Sequence, residues 1–133
     1  MKFLLDTNIC IYIIKKKPIA VIKNLLRYNP GDVAISTITV AELNYGIAKS
    51  SRPIENAIAL EQFMQPLSII DYSSGDALVY GKIRVTLEKK GTPIGAMDLL
   101  IASQAVNRNL ILVTNNEKEF KRIKELRIEN WTK

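Results

Sequence analysis

Asp6, Glu42, Asp98 and Glu119 are the residues of this chain whose type and placement allow chemistry. Each follows a strand-like apolar run or falls in the first turn or two of a helix-like segment, although together they span nearly the whole sequence. The chain contains no histidine, so imidazole acid–base chemistry is excluded. The remaining route to an activated water is a hard divalent cation held by carboxylate oxygens. Mg²⁺ or Mn²⁺ suits an all-oxygen set, keeps several waters and bridges phosphates. Asn116 offers a neutral oxygen beside such a site, and Thr114 and Asn8 are candidates for orienting its ligands from outside.

Taken singly, each acid also has a structural explanation. Asp6, ahead of Thr7-Asn8-Ile9, reads as a helix N-cap. Thr39-Val40-Ala41-Glu42 matches a capping box, in which Glu42 returns to the Thr39 N–H. Asp98 complements the start of its helix, and Glu119 reads as a solvated carboxylate. Taken together they read differently. Two carboxylates about 5 Å apart repel by about 3 kcal/mol at an effective dielectric of about 20, so a fold that gathers several needs a compensating cation.

The elements that must position them alternate in type. Lys2 to Leu5 reads as a buried strand and Asn8 to Lys15 as a helix. Ile19, Ile22, Leu25 and Leu26 mark one face of another helix, stopped by Asn29-Pro30-Gly31-Asp32. Val33 to Ser36 is a strand, Thr39 to Lys49 a helix, and a further helix runs through Ile58 towards Met64. Leu67 to Ile70 gives a third strand, and Ser74 to Lys90 a long amphipathic helix closed by Gly91-Thr92-Pro93. Asp98 to Asn107 is helical, with Asn109 suited to a left-handed cap. Leu110 to Thr114 is a fourth strand, Glu117 to Arg122 a helical turn, and Leu126 to Trp131 a last strand-like stretch. Strands alternating with helices predict a parallel sheet covered on both faces, which binds ligands beyond the carboxyl ends of its strands. Asp6 and Glu119 follow two such ends.

The bulk properties set bounds. At 133 residues and 47% hydrophobic, the chain is one domain with a real core. Its longest apolar run, Ile9 to Ile14, is far below the roughly 18 residues of a membrane span, and Asp6 and Asn8 interrupt the start before a leader's apolar region develops. The single cysteine, Cys10, excludes an intrachain disulfide, which fits a reducing cytoplasm. A net charge of +6 suits a polyanionic partner.

Four segments carry a resemblance. Phe3-Leu4-Leu5-Asp6-Thr7-Asn8, Ser36-Thr37-Ile38-Thr39-Val40-Ala41-Glu42-Leu43-Asn44-Tyr45-Gly46, Gly91 through Ala102, and Leu112 through Phe120 are similar, in order and spacing, to the PIN-domain family. Within that family they resemble VapC-type toxin ribonucleases of bacterial type II toxin–antitoxin modules. The likeness covers the full chain, so residues 1–133 are expected to form a single PIN domain. It implies a three-layer α/β/α sandwich with a central, mostly parallel five-stranded sheet. It also implies an endoribonuclease dependent on Mg²⁺ or Mn²⁺ that cuts structured RNA, transfer RNA foremost. Asp6, Glu42 and Asp98 match the family's three core acids. At the fourth position Glu119 has the better claim and Asn116 the weaker, because many relatives carry an aspartate where Asn116 stands. The implied partners are a VapB-type antitoxin, in a toxin–antitoxin hetero-oligomer, and a second copy of the chain; a membrane is not among them.

Two surfaces complete the reading. Lys118, Lys121 and Arg122, with Lys124, bracket Glu119 and are candidates for RNA contact; Lys15-Lys16-Lys17 and Lys89-Lys90 read equally as solvated helix ends. The apolar faces around Ile54-Ile58 and Val40-Leu43-Ile47 exceed what a small sheet needs and point to a protein partner. A phospho-accepting receiver domain also places acids and Mg²⁺ on a doubly wound sheet. It pairs two acids after its first strand, however, whereas Asp6 stands alone, and Asp71 after Ile70 lacks the expected surroundings. A catalytically silent binding member of the same fold is the other alternative.

Overall fold

A computed structural model describes residues 1–133. The short apolar runs pair into one five-stranded sheet of β1 (Phe3–Leu5), β2 (Val33–Ser36), β3 (Ser68–Ile70), β4 (Ile111–Val113) and β5 (Ile128–Glu129), in the order β3-β2-β1-β4-β5. Every pairing is parallel, a stricter arrangement than the mostly parallel sheet expected. The connecting helices are α1 (Thr7–Lys15), α2 (Ile19–Leu25), α3 (Thr37–Ala48), α4 (Pro53–Met64), α5 (Ser74–Lys89), α6 (Ala96–Asn107) and α7 (Glu117–Phe120).

Alternation along β1 explains the layers. Phe3 and Leu5 face Ile9, Cys10, Ile13, Val21, Leu43 and Leu60 on one side of the sheet. Leu4 faces Ile83, Leu87, Leu99, Ala102 and Phe120 on the other. Both faces are buried, as parallel strands require, and the result is an α/β/α sandwich. Each buried Leu, Ile or Phe contributes about 1.5–3 kcal/mol. Trp131 anchors the last segment: its ring stacks on Tyr28 at 5.6 Å and meets Phe3 edge-on at 5.3 Å. No helix is long and apolar enough to cross a membrane.

The register fixes the site. Leu5 of β1 lies opposite Ile35 of β2 and Val113 of β4, so the three central strands end level. The next residues, Asp6, Ser36 and Thr114, therefore line one edge, and the Asp6 N–H donates to the Val113 carbonyl at 3.0 Å.

Three local readings need correction. Ser36, not Thr39, caps α3, accepting the Ile38 N–H at 3.0 Å, so the expected Thr39–Glu42 capping box is absent. The helix begins earlier, at Thr37, which leaves Thr39 inside it and fully buried. Helix α6 likewise starts at Ala96 and the last strand shrinks to Ile128–Glu129. Asn109 does adopt the left-handed conformation, at φ 56°. Gly91, at φ 69°, turns the chain out of α5 towards the loop that leads to Asp98.

The capping box that does form joins Ser73 and Asp76 at the start of α5. Asp76 is fully buried and accepts from the Ser73 N–H at 2.8 Å, Asn107 Nδ2 at 2.8 Å and Arg108 Nη2 at 3.1 Å. Burial alone would raise its carboxyl, but these donors hold it below the ordinary value. The start of α5 is thus locked to the end of α6 far from Asp98. Removing one partner of a buried, hydrogen-bonded ion pair strands the other. Asp76→Ala should therefore cost about 3 kcal/mol in a urea-unfolding titration. A change below about 0.5 kcal/mol would mean that the network is idle.

Candidate active site

Asp6 ends β1 and caps α1, accepting the Ile9 N–H through Oδ1 at 2.8 Å. One oxygen is thereby fixed by the helix, and the carboxyl also lies within hydrogen-bonding reach of Thr114. Burial raises the Asp6 carboxyl, hydrogen bonds from Thr114 and the Ile9 N–H partly offset this, and the Glu42 charge raises it again. Thr114, buried directly after β4, also accepts the Asn116 N–H at 2.9 Å.

Glu42 sits in the second turn of α3. Its Oε1 accepts the Thr7 hydroxyl at 2.6 Å, across to α1 rather than back to its own helix. Asp98 occupies the first turn of α6 and carries the largest perturbation among the acids. Burial, then the charges of Glu119, Asp6 and Glu42, lift its carboxyl from 3.8 to about 6. Three acids from three other elements therefore act on the Asp98 carboxyl, and the four sequence-predicted acids share one electrostatic field.

Glu119 is not the free surface carboxylate of its bland reading. It is half-buried, Oε1 accepts the Gly95 N–H at 3.2 Å, and Oε2 accepts Asn116 Nδ2 at 2.8 Å. Asn116 thus acts on Glu119 rather than replacing it. Asn8 stands exposed on the first turn of α1. Lys118 and Lys121 are exposed beside Glu119; Arg122 is exposed too, but its Nη1 donates to the Pro93 carbonyl at 2.9 Å and holds the loop before Asp98.

The charges of Glu119, Asp6 and Glu42 reach Asp98, but no three of these acids come together closely enough to form a ready-made metal cage. That arrangement fits a hydrated hard cation, because Mg²⁺ keeps several waters and takes only one or two carboxylates directly. The oxygen-only donor set, its mutual repulsion and the raised Asp98 carboxyl all suit such an ion.

Beside the pocket, α1, α3 and α4 enclose a groove of about 300 Å³ lined by Ile11, Ile14, Leu43, Ile47 and Leu60, with Glu42 and Lys15 at its margin. Ile54 and Ile58 on α4 are 78% and 53% exposed. The two apolar faces expected from sequence thus differ: Leu43 and Ile47 line a concave groove, whereas Ile54 and Ile58 project outward.

Fold and pocket define an α/β domain with an all-carboxylate site at the carboxyl edge of a parallel sheet. A family model described as PIN domain matches residues 3–126. Ribonuclease VapC2 of Rickettsia felis is 49% identical over 134 residues, covering 100% of both chains. The tRNA(fMet)-specific endonuclease VapC of Shigella flexneri is 43% identical over 132 residues, covering 99% of each. The crystal structure of VapBC2 from Rickettsia felis bound to a promoter DNA fragment superposes with a TM-score of 0.93 at 48% identity, covering 98% of this chain and 99% of that one. The chain belongs to the PIN-domain family and, within it, to the VapC ribonucleases.

Asp98 makes a pH prediction. Its folded carboxyl binds a proton below about pH 6, while the unfolded one waits until about 3.8. The site therefore costs stability above pH 6, and that cost is relieved as pH falls towards 4. In chelator, Asp98→Asn should melt above the wild type at about pH 7.5, with the gap closing towards pH 4 in parallel thermal melts. A variant that is less stable than wild type at the higher pH would contradict the shared field.

Proposed function

We propose that this chain is the toxin of a type II toxin–antitoxin pair, acting in the cytoplasm as an endoribonuclease that cuts structured RNA, transfer RNA foremost. Residues 1–133 form its single catalytic domain, and a divalent cation, Mg²⁺ or Mn²⁺, completes its site. The observation that carries this reading is the placement of Asp6, Glu42, Asp98 and Glu119, on four elements, so that the charges of the other three reach Asp98. Such repulsion at the carboxyl edge of the sheet suits a cation and, beyond it, a phosphate.

When bound, the cation supplies a lowered pKa for a water and neutralises charge developing on the scissile phosphate. Asp6 and Asp98 would hold it, directly or through water. Glu42, with one oxygen on Thr7, would have the other for the ion or for a water. Glu119 secures the Gly95 backbone from which α6 and Asp98 start. Lys118 and Lys121 meet RNA phosphates near the cut, giving salt-dependent affinity without base choice.

Two relatives support the substrate and the partner. The Shigella flexneri enzyme is named for tRNA(fMet), and the Rickettsia felis relative is a VapBC complex. For this chain we assign initiator transfer RNA as the first substrate to test and a VapB-type antitoxin as the inhibitor, seated in the apolar groove beside Glu42. The chain forms a homodimer and, with the antitoxin, an inhibited toxin–antitoxin hetero-oligomer.

Brief induction in cells, followed by mapping of RNA 5′ ends, should reveal new ends in transfer RNA. Ends confined to messenger RNA would overturn that substrate assignment. With purified protein, Asp98→Asn should lower cleavage by more than about 100-fold, beyond the loss of an outer partner, while the fold persists. Chelator should stop the wild type, and Mn²⁺ or Mg²⁺ should restore it; full activity in excess chelator would refute the cation.

A further inference from the structure

We infer that Thr7 is a positioning residue that sets the direction of Glu42, an inference whose activity arm rests on the ribonuclease reading above. Thr7 is the first residue of α1, where a hydroxyl ordinarily serves the helix end. Asp6 already fills that role through the Ile9 N–H. Both partners of the Thr7 hydroxyl lie instead on α3: Glu42 Oε1 at 2.6 Å and Thr39 Oγ1 at 3.3 Å. A hydroxyl has one proton, and the short, charge-assisted bond to the carboxylate takes it. Thr39 is fully buried, so its oxygen is a fixed reference point, and the β-branched Thr7 has little rotamer freedom of its own.

Glu42 is different. It is a long side chain at the junction of two environments: the acid pocket, whose charge repels it, and the apolar groove, whose rim also carries Lys15 and Asn56. Electrostatics alone favours a swing towards Lys15, away from Asp98 and Asp6. The Thr7 bond ties one carboxylate oxygen to the residue beside Asp6 and leaves the other without a hydrogen-bond partner. Because Thr7 follows Asp6 directly, the same backbone step sets the direction of both acids.

The experiment compares wild type, Thr7→Val, Thr7→Ser, Glu42→Gln and the double variant Thr7→Val/Glu42→Gln, each folded by circular dichroism. Thr7→Ala runs in parallel, so that a folding defect particular to valine does not decide the result. Thr7→Val should lower kcat on RNA about 10- to 100-fold with KM unchanged, because the phosphate contacts are untouched. Thr7→Ser, which restores the hydroxyl, should recover most of that loss. In single-turnover assays the double variant should be no slower than Glu42→Gln, since both changes disable one group. Wild-type kcat in Thr7→Val, no recovery in Thr7→Ser, or losses that multiply in the double variant would overturn the inference.

Two arms do not depend on ribonuclease activity. Mn²⁺ titration followed by electron paramagnetic resonance should show about 10-fold weaker binding in Thr7→Val than in wild type and Thr7→Ser, and equal affinity would count against the role. A crystal structure of Thr7→Val should show Glu42 turned towards Lys15; Glu42 unmoved would overturn the proposal. If the wild type cleaves no RNA, the ribonuclease reading fails, while these arms still judge Thr7.

Discussion

Like charges brought together at the edge of a low-dielectric core push one another apart, and this domain is built to withstand that push. Asp6, Glu42, Asp98 and Glu119 come from four different elements, and all but Asp98 have another bond that restrains them. Asp6 is spent in part on the first turn of α1, Glu42 on a neighbouring hydroxyl, and Glu119 on a backbone N–H and an amide. Asp98 has no such side-chain partner and absorbs the strain as a raised carboxyl. Repulsion of this kind costs some fold stability, and a positive charge placed among the acids would relieve it.

Sheet register makes this arrangement possible. Because β1, β2 and β4 end level, residues more than a hundred positions apart arrive side by side without long loops. The helices then do the aiming. The turn after β1 caps α1 and presents Asp6, and the loop from Gly91 to Gly95, held by Glu119 and Arg122, delivers Asp98 in the first turn of α6. The Asp76 network closes the other end of α6 onto α5, so the helix that carries the most perturbed acid is fixed at both ends.

Much of this was legible in the sequence. Apolar runs of strand length separated by helix-period segments define the layers, and Asp6 as a helix cap follows from its neighbours. Glu42 was harder: Thr39 three residues before it fits a capping box, whereas the cap is Ser36, which accepts the Ile38 N–H, and Thr39 lies buried inside the helix. The Thr7–Glu42 bond spans 35 residues, a separation that no local pattern encodes. Asp76 was overlooked because a lone acid at a helix start looks like an ordinary cap, and its partners Asn107 and Arg108 lie about thirty positions away. Asn116 and Arg122 read as a possible ligand and a possible phosphate contact, whereas each has a bond that shapes the loop around Asp98.

The central place of β1 has a temporal side. Synthesis delivers this strand first, but its second neighbour, Ile111–Val113, emerges only near the end of the chain. Closing that pairing means closing the longest loop between paired strands of the sheet, and such long-range contacts are late steps in folding. A ribosome partway through the message therefore carries a chain with Asp6 already made but without Asp98 or the Thr114 hydroxyl beside it. The four carboxylates consequently cannot come together until the polypeptide is nearly complete.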